Sequence, residues 1–324
     1  PFTCEFCDII ELYGRVPRSK TNEQMLGELE ALYAAGYRGH INFVDDNLIG
    51  NKKALKRFLP ALAAWQRQRG YPFELSTEAS INLADDRELL DMMRAAKFFG
   101  VFVGIESPDT ETLVAMQKKQ NTRRSLVDSV HKLYDAGIVV IAGFIVGFDS
   151  EQDSVAPQMI ECIQAMSIPV CMVGLLTALP NTQLTRRLEG EIRLLPLAFD
   201  HGDHCTTGLN FVTRRARRDI LNDYRAVLAA VYDPDAYFRR LRAVRPPRHP
   251  VQLVPWLIVH NLRCFGRVIW RATVTEPHLA RHFWGTFAAI AWANPAALRL
   301  VIFHTAFYLH LGPFAQFVIG DLEQ

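Results

Sequence analysis

The densest concentration of chemistry in this sequence is Cys4-Glu5-Phe6-Cys7, two thiols separated by two residues. A C-x-x-C pair on a loop serves as half of a zinc site, as a redox pair, or as part of an iron–sulfur site. A zinc site wants a second ligand pair at short spacing. No further C-x-x-C or suitably spaced histidine pair supplies one; His201 and His204, beside Cys205, come nearest. A thioredoxin-like pair would carry small residues or proline between its cysteines, where this one carries Glu5 and Phe6. Cys162, Cys171 and Cys264 sit among apolar or bulky neighbours, as packing thiols do, and Cys205 lies in a polar, glycine-bearing segment.

A second set of reactive groups recurs along the first half of the chain. Asp45-Asp46-Asn47, Glu78-Ala79-Ser80, Glu106-Ser107, Gly147-Phe148-Asp149 and Thr177-Ala178-Leu179-Pro180 each follow a short apolar run. Those runs, at 40–44, 73–77, 99–105, 138–146 and 170–176, have the length and content of buried strands. Amphipathic stretches alternate with them. Thr21 is placed to cap a helix that turns Met25, Leu26, Leu29, Leu32 and Tyr33 towards a core. Further helices are expected over 54–69, 88–96, 122–136 and 155–166. Repeated strand–helix units predict a parallel α/β barrel, with its chemistry at the C-terminal ends of the strands. The polar residues just after each strand are therefore the ones to watch.

The composition sets outer limits. The 324 residues, 49% hydrophobic and 22% charged, suit one sizeable domain with an appended region. A formal net charge of +2 gives no global basis for nucleic-acid binding, and the basic run at 214–218 reads as a solvated helix start without an aromatic stacking platform. The sparse cysteines suit a reducing cytoplasm rather than a disulfide framework. Beyond residue 195 the character changes. Pro246-Pro247 marks a hinge, and from Arg245 to Gly320 there are seven Arg, no Lys and a single acid, Glu276, together with Trp256, Trp270, Trp284 and Trp292. Arg299, His304 and His310 interrupt the best apolar stretch, so no spanning helix is expected. Arginine and tryptophan bordering apolar faces suit a helix lying in a membrane interface, or else a helical cap on the barrel.

Taken together, the strand-end residues identify a family. Pro1-Phe2-Thr3-Cys4-Glu5-Phe6-Cys7 resembles the C-x₃-C-x₂-C loop of radical S-adenosylmethionine (SAM) enzymes, beginning one residue after its first cysteine. In that family three thiolates hold a 4Fe–4S cluster whose open iron binds SAM. The resemblance makes Cys4 and Cys7 cluster ligands and sets Phe6 near the adenine. It gives Asp45, Asp46 and Asn47 the place of a Gly-Gly-Glu segment that binds the methionine amino group, although the usual glycines are missing. It brings Glu78, Glu106 and Ser107 to SAM. Gly143-Phe144-Ile145-Val146-Gly147 is similar to the G-x-I-x-G adenine motif, with Gly143, Ile145 and Gly147 as its contacts, and Leu179-Pro180-Asn181-Thr182 to the turn after the sixth strand.

Within the family, the cobalamin-binding branch is the nearest in appearance. The segments at 8–18, 43–53, 116–125 and 202–211 resemble the hopanoid C-2 methylase group. The resemblance implies a partial (β/α)6 TIM-like barrel over 1–195 and a mostly helical domain over 196–324. It further implies an N-terminally truncated fragment, inactive alone, whose first strand, first cluster cysteine and cobalamin domain lie upstream. The implied activity is radical methylation of an unactivated carbon in a polycyclic lipid, using a 4Fe–4S cluster, SAM and cobalamin. Electrons would come from a donor such as flavodoxin or ferredoxin, and the implied location is the cytoplasm, peripheral to the inner membrane, with no nucleic-acid partner. Three rivals stand beside it: a radical cyclase, rearrangement or methylthiolation enzyme; a metal-binding protein using Cys4 and Cys7 with His201 or Cys205; and a scaffold fragment.

Overall fold

The computed structural model describes residues 3–195, 205–206, 208–244 and 255–322. The elements run α1 (Ile9–Tyr13), α2 (Asn22–Ala34), β1 (Gly39–Phe43), α3 (Lys52–Gln68), β2 (Phe73–Glu78), α4 (Arg87–Ala95), β3 (Phe98–Glu106) and α5 (Thr110–Ala115). They continue with α6 (Leu126–Asp135), β4 (Val139–Val146), α7 (Ala156–Met166), β5 (Cys171–Leu175) and α8 (Gln183–Gly190). The C-terminal helices are α9 (Arg217–Val231), α10 (Pro234–Ala243), α11 (Pro255–Trp270), α12 (Ala280–Ala293) and α13 (Leu298–Asp321). All five strands are parallel, in the order β1-β2-β3-β4-β5, and form a half-barrel with every strand end on one rim.

Local chemistry explains the element boundaries. Thr21 makes a capping box with Gln24, and side chains of Asn51, Asp86, Asp109, Ser125 and Thr182 accept from the backbone of the helices they precede. Each cap satisfies a donor the helix leaves orphaned, worth about 1 kcal/mol. Ser125 also corrects an expectation. The helix predicted from residue 122 starts at Leu126, and Lys119–Asn121 is a separate 3-10 turn. On α2, Leu29 is buried, but Leu32 faces solvent rather than the core.

The helical region grips the edge strand β5. Tyr224 Oη donates to the Val173 carbonyl at 3.2 Å and Tyr232 Oη to the Cys171 carbonyl at 2.6 Å. Arg240, fully buried, donates from Nε to the Ile168 carbonyl at 2.8 Å. An edge strand's unpaired backbone must be satisfied or covered; the two tyrosines do so on β5, and Arg240 satisfies the segment that leads into it. The basic run at 214–218 is an exposed helix start, as expected for Arg214 and Arg218, but two of its arginines also make inward contacts. Arg217 donates to the Leu209 and Gly208 carbonyls at 2.7 and 3.0 Å, and Arg215 meets Asp223 at 2.9 Å.

The far C-terminus departs from expectation too. Residues 298–321 form one continuous helix of 24 residues, which among the described residues is the one long and apolar enough to cross a membrane by length and composition. Two of the interrupting polar groups are taken up by the fold, while His310 stays exposed on the helix. Arg299 pairs with Glu74 on β2, and His304 is buried with Nδ1 at 2.9 Å from the Leu300 carbonyl. Pro246-Pro247 lies outside the described residues.

Candidate active site

The loop carrying Cys4 and Cys7 is held from several sides. Glu5 N–H donates to the Met116 carbonyl at 3.1 Å, and Leu184 N–H, in the first turn of α8, donates to the Glu5 carbonyl at 2.9 Å. Thr3 Oγ1 donates to Gln117 Oε1 at 3.0 Å. Gln120 Nε2 approaches Cys4 Sγ at 3.9 Å. Cys4 is buried and Cys7 half-buried, and burial pushes both thiols up. At Cys4 the nearby Lys118 ammonium partly opposes that rise.

No sequence motif marks Lys118. Its Nζ lies 2.6 Å from Glu106 Oε1, with both side chains nearly excluded from water, and 5.8 Å from the centre of the Phe6 ring. Glu106 reaches it from a β-bulge at the end of β3, in the left-handed region at φ 67°. A non-glycine residue held there is strained unless its surroundings over-determine it. Here Asn121 Nδ2 does so, donating to the Gly104 and Ile105 carbonyls at 3.0 and 2.9 Å, and the pair with Lys118 completes the lock. Gly104 leaves the space, because a Cβ there would collide with the Glu106 carboxylate. Ser107, also buried, turns its hydroxyl to accept from Asp109 N–H at 3.2 Å.

The G-x-I-x-G strand end sits alongside. Phe6 meets Phe148 edge-on at 5.9 Å, next to Gly147. A Cβ on Gly143 would press on Phe102 at 2.9 Å, and Gly147, at φ 106°, faces the Leu209 side chain. Ile145 is half-buried on β4. A cavity of about 340 Å³ opens here, lined by Phe6, Gln117, Phe148, Asp149 and Arg187 among others. Arg187 ties Glu5 to Asp149, and Arg193 meets Asp149 at 2.6 Å.

The acidic residues of β1 and β2 form a separate group on the same rim. Partial burial, and then the neighbouring Asp46 charge, raise both Asp45 and Glu78. Carboxylates that disfavour each other's ionisation suit a cationic partner. Asn47 is committed otherwise, accepting from Ser80 N–H at 3.1 Å and Ser80 Oγ at 3.2 Å.

Residues 208–211 close over β4 and β5. Asn210 brackets Ala178, accepting from its N–H at 2.8 Å and donating to its carbonyl at 2.9 Å, while Leu209 N–H donates to the Leu176 carbonyl at 2.8 Å. Among the described residues no three His, Cys, Asp or Glu side chains converge as a metal site, so Cys205 does not complete a set with Cys4 and Cys7. His201 and His204 lie outside the described residues. Cys4 and Cys7 are two thiols on one anchored loop beside the Lys118–Glu106 pair, and thiolates are the donor type that suits iron–sulfur ligation.

Residues 1–163 match the model of the radical SAM superfamily. The chain belongs to that superfamily. Residues 182–324 of this radical SAM chain match a domain of unknown function. An uncharacterised methyltransferase of Synechocystis sp. is 41% identical over 329 residues, covering all of this chain and 61% of the relative. The hopanoid C-2 methylase of Rhodopseudomonas palustris is 38% identical over 240 residues, 74% of this chain and 44% of that protein. The chain thus spans less than two thirds of either relative. The radical SAM methyltransferase TsrM of Kitasatospora setae, solved with cobalamin and a 4Fe–4S cluster, superposes at a TM-score of 0.51 with 17% identity over 69% of this chain and 44% of its own. The cobalamin-dependent radical SAM enzyme OxsB gives a TM-score of 0.51 and 13% identity over 99% of this chain and 53% of its own. At such identities these two report fold alone.

One buried acid behind the radical SAM motif gives a pH-dependent prediction. Glu151 Oε2 accepts from Gly147 N–H at 2.9 Å, with Arg215 at 3.8 Å and Asp223 beyond it. Burial pushes this carboxyl from 4.5 up to about 7, against the opposing backbone donors and Arg215. The folded state therefore holds the proton more tightly than the unfolded state. Stability contributed by the neutral acid is fully present below pH 4.5 and is lost as the pH rises towards 7, by about 3 kcal/mol in all. Glu151→Gln, which keeps an acceptor for Gly147, should flatten that slope in denaturant titrations run across this range. An unchanged slope would assign it to another group.

Proposed function

We propose that this chain is the catalytic core of a cobalamin-dependent radical SAM C-methyltransferase acting on a polycyclic lipid, with hopanoid C-2 methylation as its reaction. One observation carries the reading. The likeness to the hopanoid C-2 methylase runs over 240 residues, whereas the superfamily match ends at residue 163. It must therefore extend beyond the shared barrel motifs into the region where substrate-specific structure is expected.

In this reading Cys4 and Cys7 supply two of the three cluster thiolates. When bound, the cluster and SAM provide a carbon-centred radical and methylcobalamin provides the methyl group. The chain's own residues do the positioning. The loop anchored by Met116, Gln117 and Leu184 fixes the two thiols relative to the strand ends. Lys118 and Glu106 offset each other where the loop meets β3. Asp45, Asp46 and Glu78 present negative charge suited to the ammonium of a bound amino acid, while Gly143 and Gly147 let the Phe102 and Leu209 side chains pack close against β4. Phe6, Phe148 and the covering Leu209 keep water from that space, which a reactive radical requires.

The test is to supply the full-length protein with SAM carrying an isotopically labelled methyl group, in extract containing hopanoids. The expected product is a hopanoid with one labelled methyl at C-2. Label recovered on sulfur, or 5′-deoxyadenosine formed without methyl transfer to any lipid, would replace methylation with methylthiolation, cyclisation or rearrangement.

A further inference from the structure

Helices α11 and α12 turn apolar residues outwards as well as inwards. Leu262, Trp270 and Val274 stand 59%, 63% and 54% exposed in a row spaced by multiples of four, where α11 runs into the π-helical turn Arg271–Thr275. Directly beside them, and also spaced by four, are the exposed Arg263, Arg267 and Arg271. Among the described residues none of these three arginines meets a carboxylate, and Glu276 is the one acid between Leu262 and Ala293. On α12 the inward face buries Phe283, Thr286 and Ile290. Its outward face carries no charge from Trp284 onwards, passing through Gly285, Ala288 and Ala289 to Trp292, which is 93% exposed. Trp284 Nε1 donates to Thr273 Oγ1 at 3.2 Å, which brings the two outward faces together.

A soluble surface helix normally shows polar groups on the side away from its core. A contiguous exposed apolar patch marks a docking surface. We propose that the outward face of α11 and α12 docks on the surface of an anionic phospholipid bilayer, with the tryptophans at the headgroup boundary and Arg263, Arg267 and Arg271 against the phosphates. The chemistry singles out this partner. The arginines form a one-sign row parallel to an apolar row, so their aliphatic stems can lie along the membrane while the guanidinium groups reach outwards to the headgroups. Exposed indoles at the edge of such a face find apolar surface on one side and acceptors on the other. An exposed helix face of glycine, alanine and tryptophan offers few groups for specific hydrogen bonding to another protein.

The experiment is co-sedimentation of the protein with vesicles of phosphatidylcholine, with or without phosphatidylglycerol, in the absence of SAM and substrate. Its failure is therefore distinguishable from failure of the methyltransferase reading. Binding is expected to the anionic vesicles, weakening with salt, together with a blue shift of tryptophan emission. Each arginine near the surface is worth about fivefold in affinity. Changing Arg263, Arg267 and Arg271 together to Gln should weaken binding on the order of a hundredfold at low salt. Trp270→Ser with Trp292→Ser should reduce the blue shift to what Trp284 alone gives; all five side chains are exposed, so the fold is retained. Absence of binding, equal binding to neutral vesicles, or an unchanged affinity of the triple variant would overturn the proposal. So would self-association that disappears with Trp292→Ser, which would assign this face to a second copy of the chain.

Discussion

Cys7→Ala is expected to leave the full-length protein folded but unable to retain iron and sulfide after anaerobic reconstitution, with methyl transfer falling to background. Removing groups that merely support a metal ligand costs about 10–100-fold in affinity, and removing a ligand costs more. Cys7 is half-buried in a loop whose hydrogen bonds to Met116 and Leu184 run through the Glu5 backbone, so the truncated side chain leaves the loop's anchors in place. Cys4→Ala should behave alike, and Cys205→Ala should retain its cluster, because no metal-binding group forms around it among the described residues. Iron and sulfide content with the visible absorbance of the cluster are the measurements. Full retention by both single variants would remove these cysteines from the cluster.

Lys118→Met is the second large effect. It leaves the Glu106 carboxylate buried without its 2.6 Å partner, at a bulge that already holds a left-handed residue. Breaking one side of a buried ion pair costs about 3–5 kcal/mol. Denaturant unfolding should show that loss, and the doubly changed Lys118→Met, Glu106→Gln protein should recover most of it, because neither charge then remains. Should the single change cost no more than a surface pair, below about 1 kcal/mol, the pair would not be what holds this strand end. Loosening of Glu106 should also reach the cluster loop, since Met116 and Gln117 contact Glu5, Thr3 and Cys4 from the same turn.

Lys118 also shows where sequence reasoning stops. The segment at 116–125 resembles a known group, yet nothing in the pair Lys118-Lys119 says which lysine turns inwards. That choice depends on Gln117 adopting φ 61° and on the bulge that aims Glu106, both of which follow from packing between α5, β3 and the cluster loop. Arg215 and Arg217 make the same point from the other side. As a basic run they read as solvated, but they point back towards Asp223 and the carbonyls of residues 208–209.

What the sequence determined by itself were the features whose causes lie within a few residues. Apolar runs and helical spacing located all five strands to within two residues at either end, because burial and backbone hydrogen bonding act locally along each element. Side-chain caps such as Thr21, and glycines such as Gly147, are set by the geometry of the next turn. The motif spacing named the superfamily for the same reason, since each mark is a short string at a strand end. Only the tertiary structure decided the long-range partnerships: Lys118 with Glu106, Asn210 with Ala178, Tyr232 on the edge of β5, Arg240 on the Ile168 carbonyl before it, and Arg299 with Glu74. It likewise decided that His304 is buried within α13 rather than interrupting it, and that Trp292 faces outwards. These depend on which surfaces meet when the chain closes on itself, and a polar side chain looks the same in sequence whether it ends in water or beneath a strand.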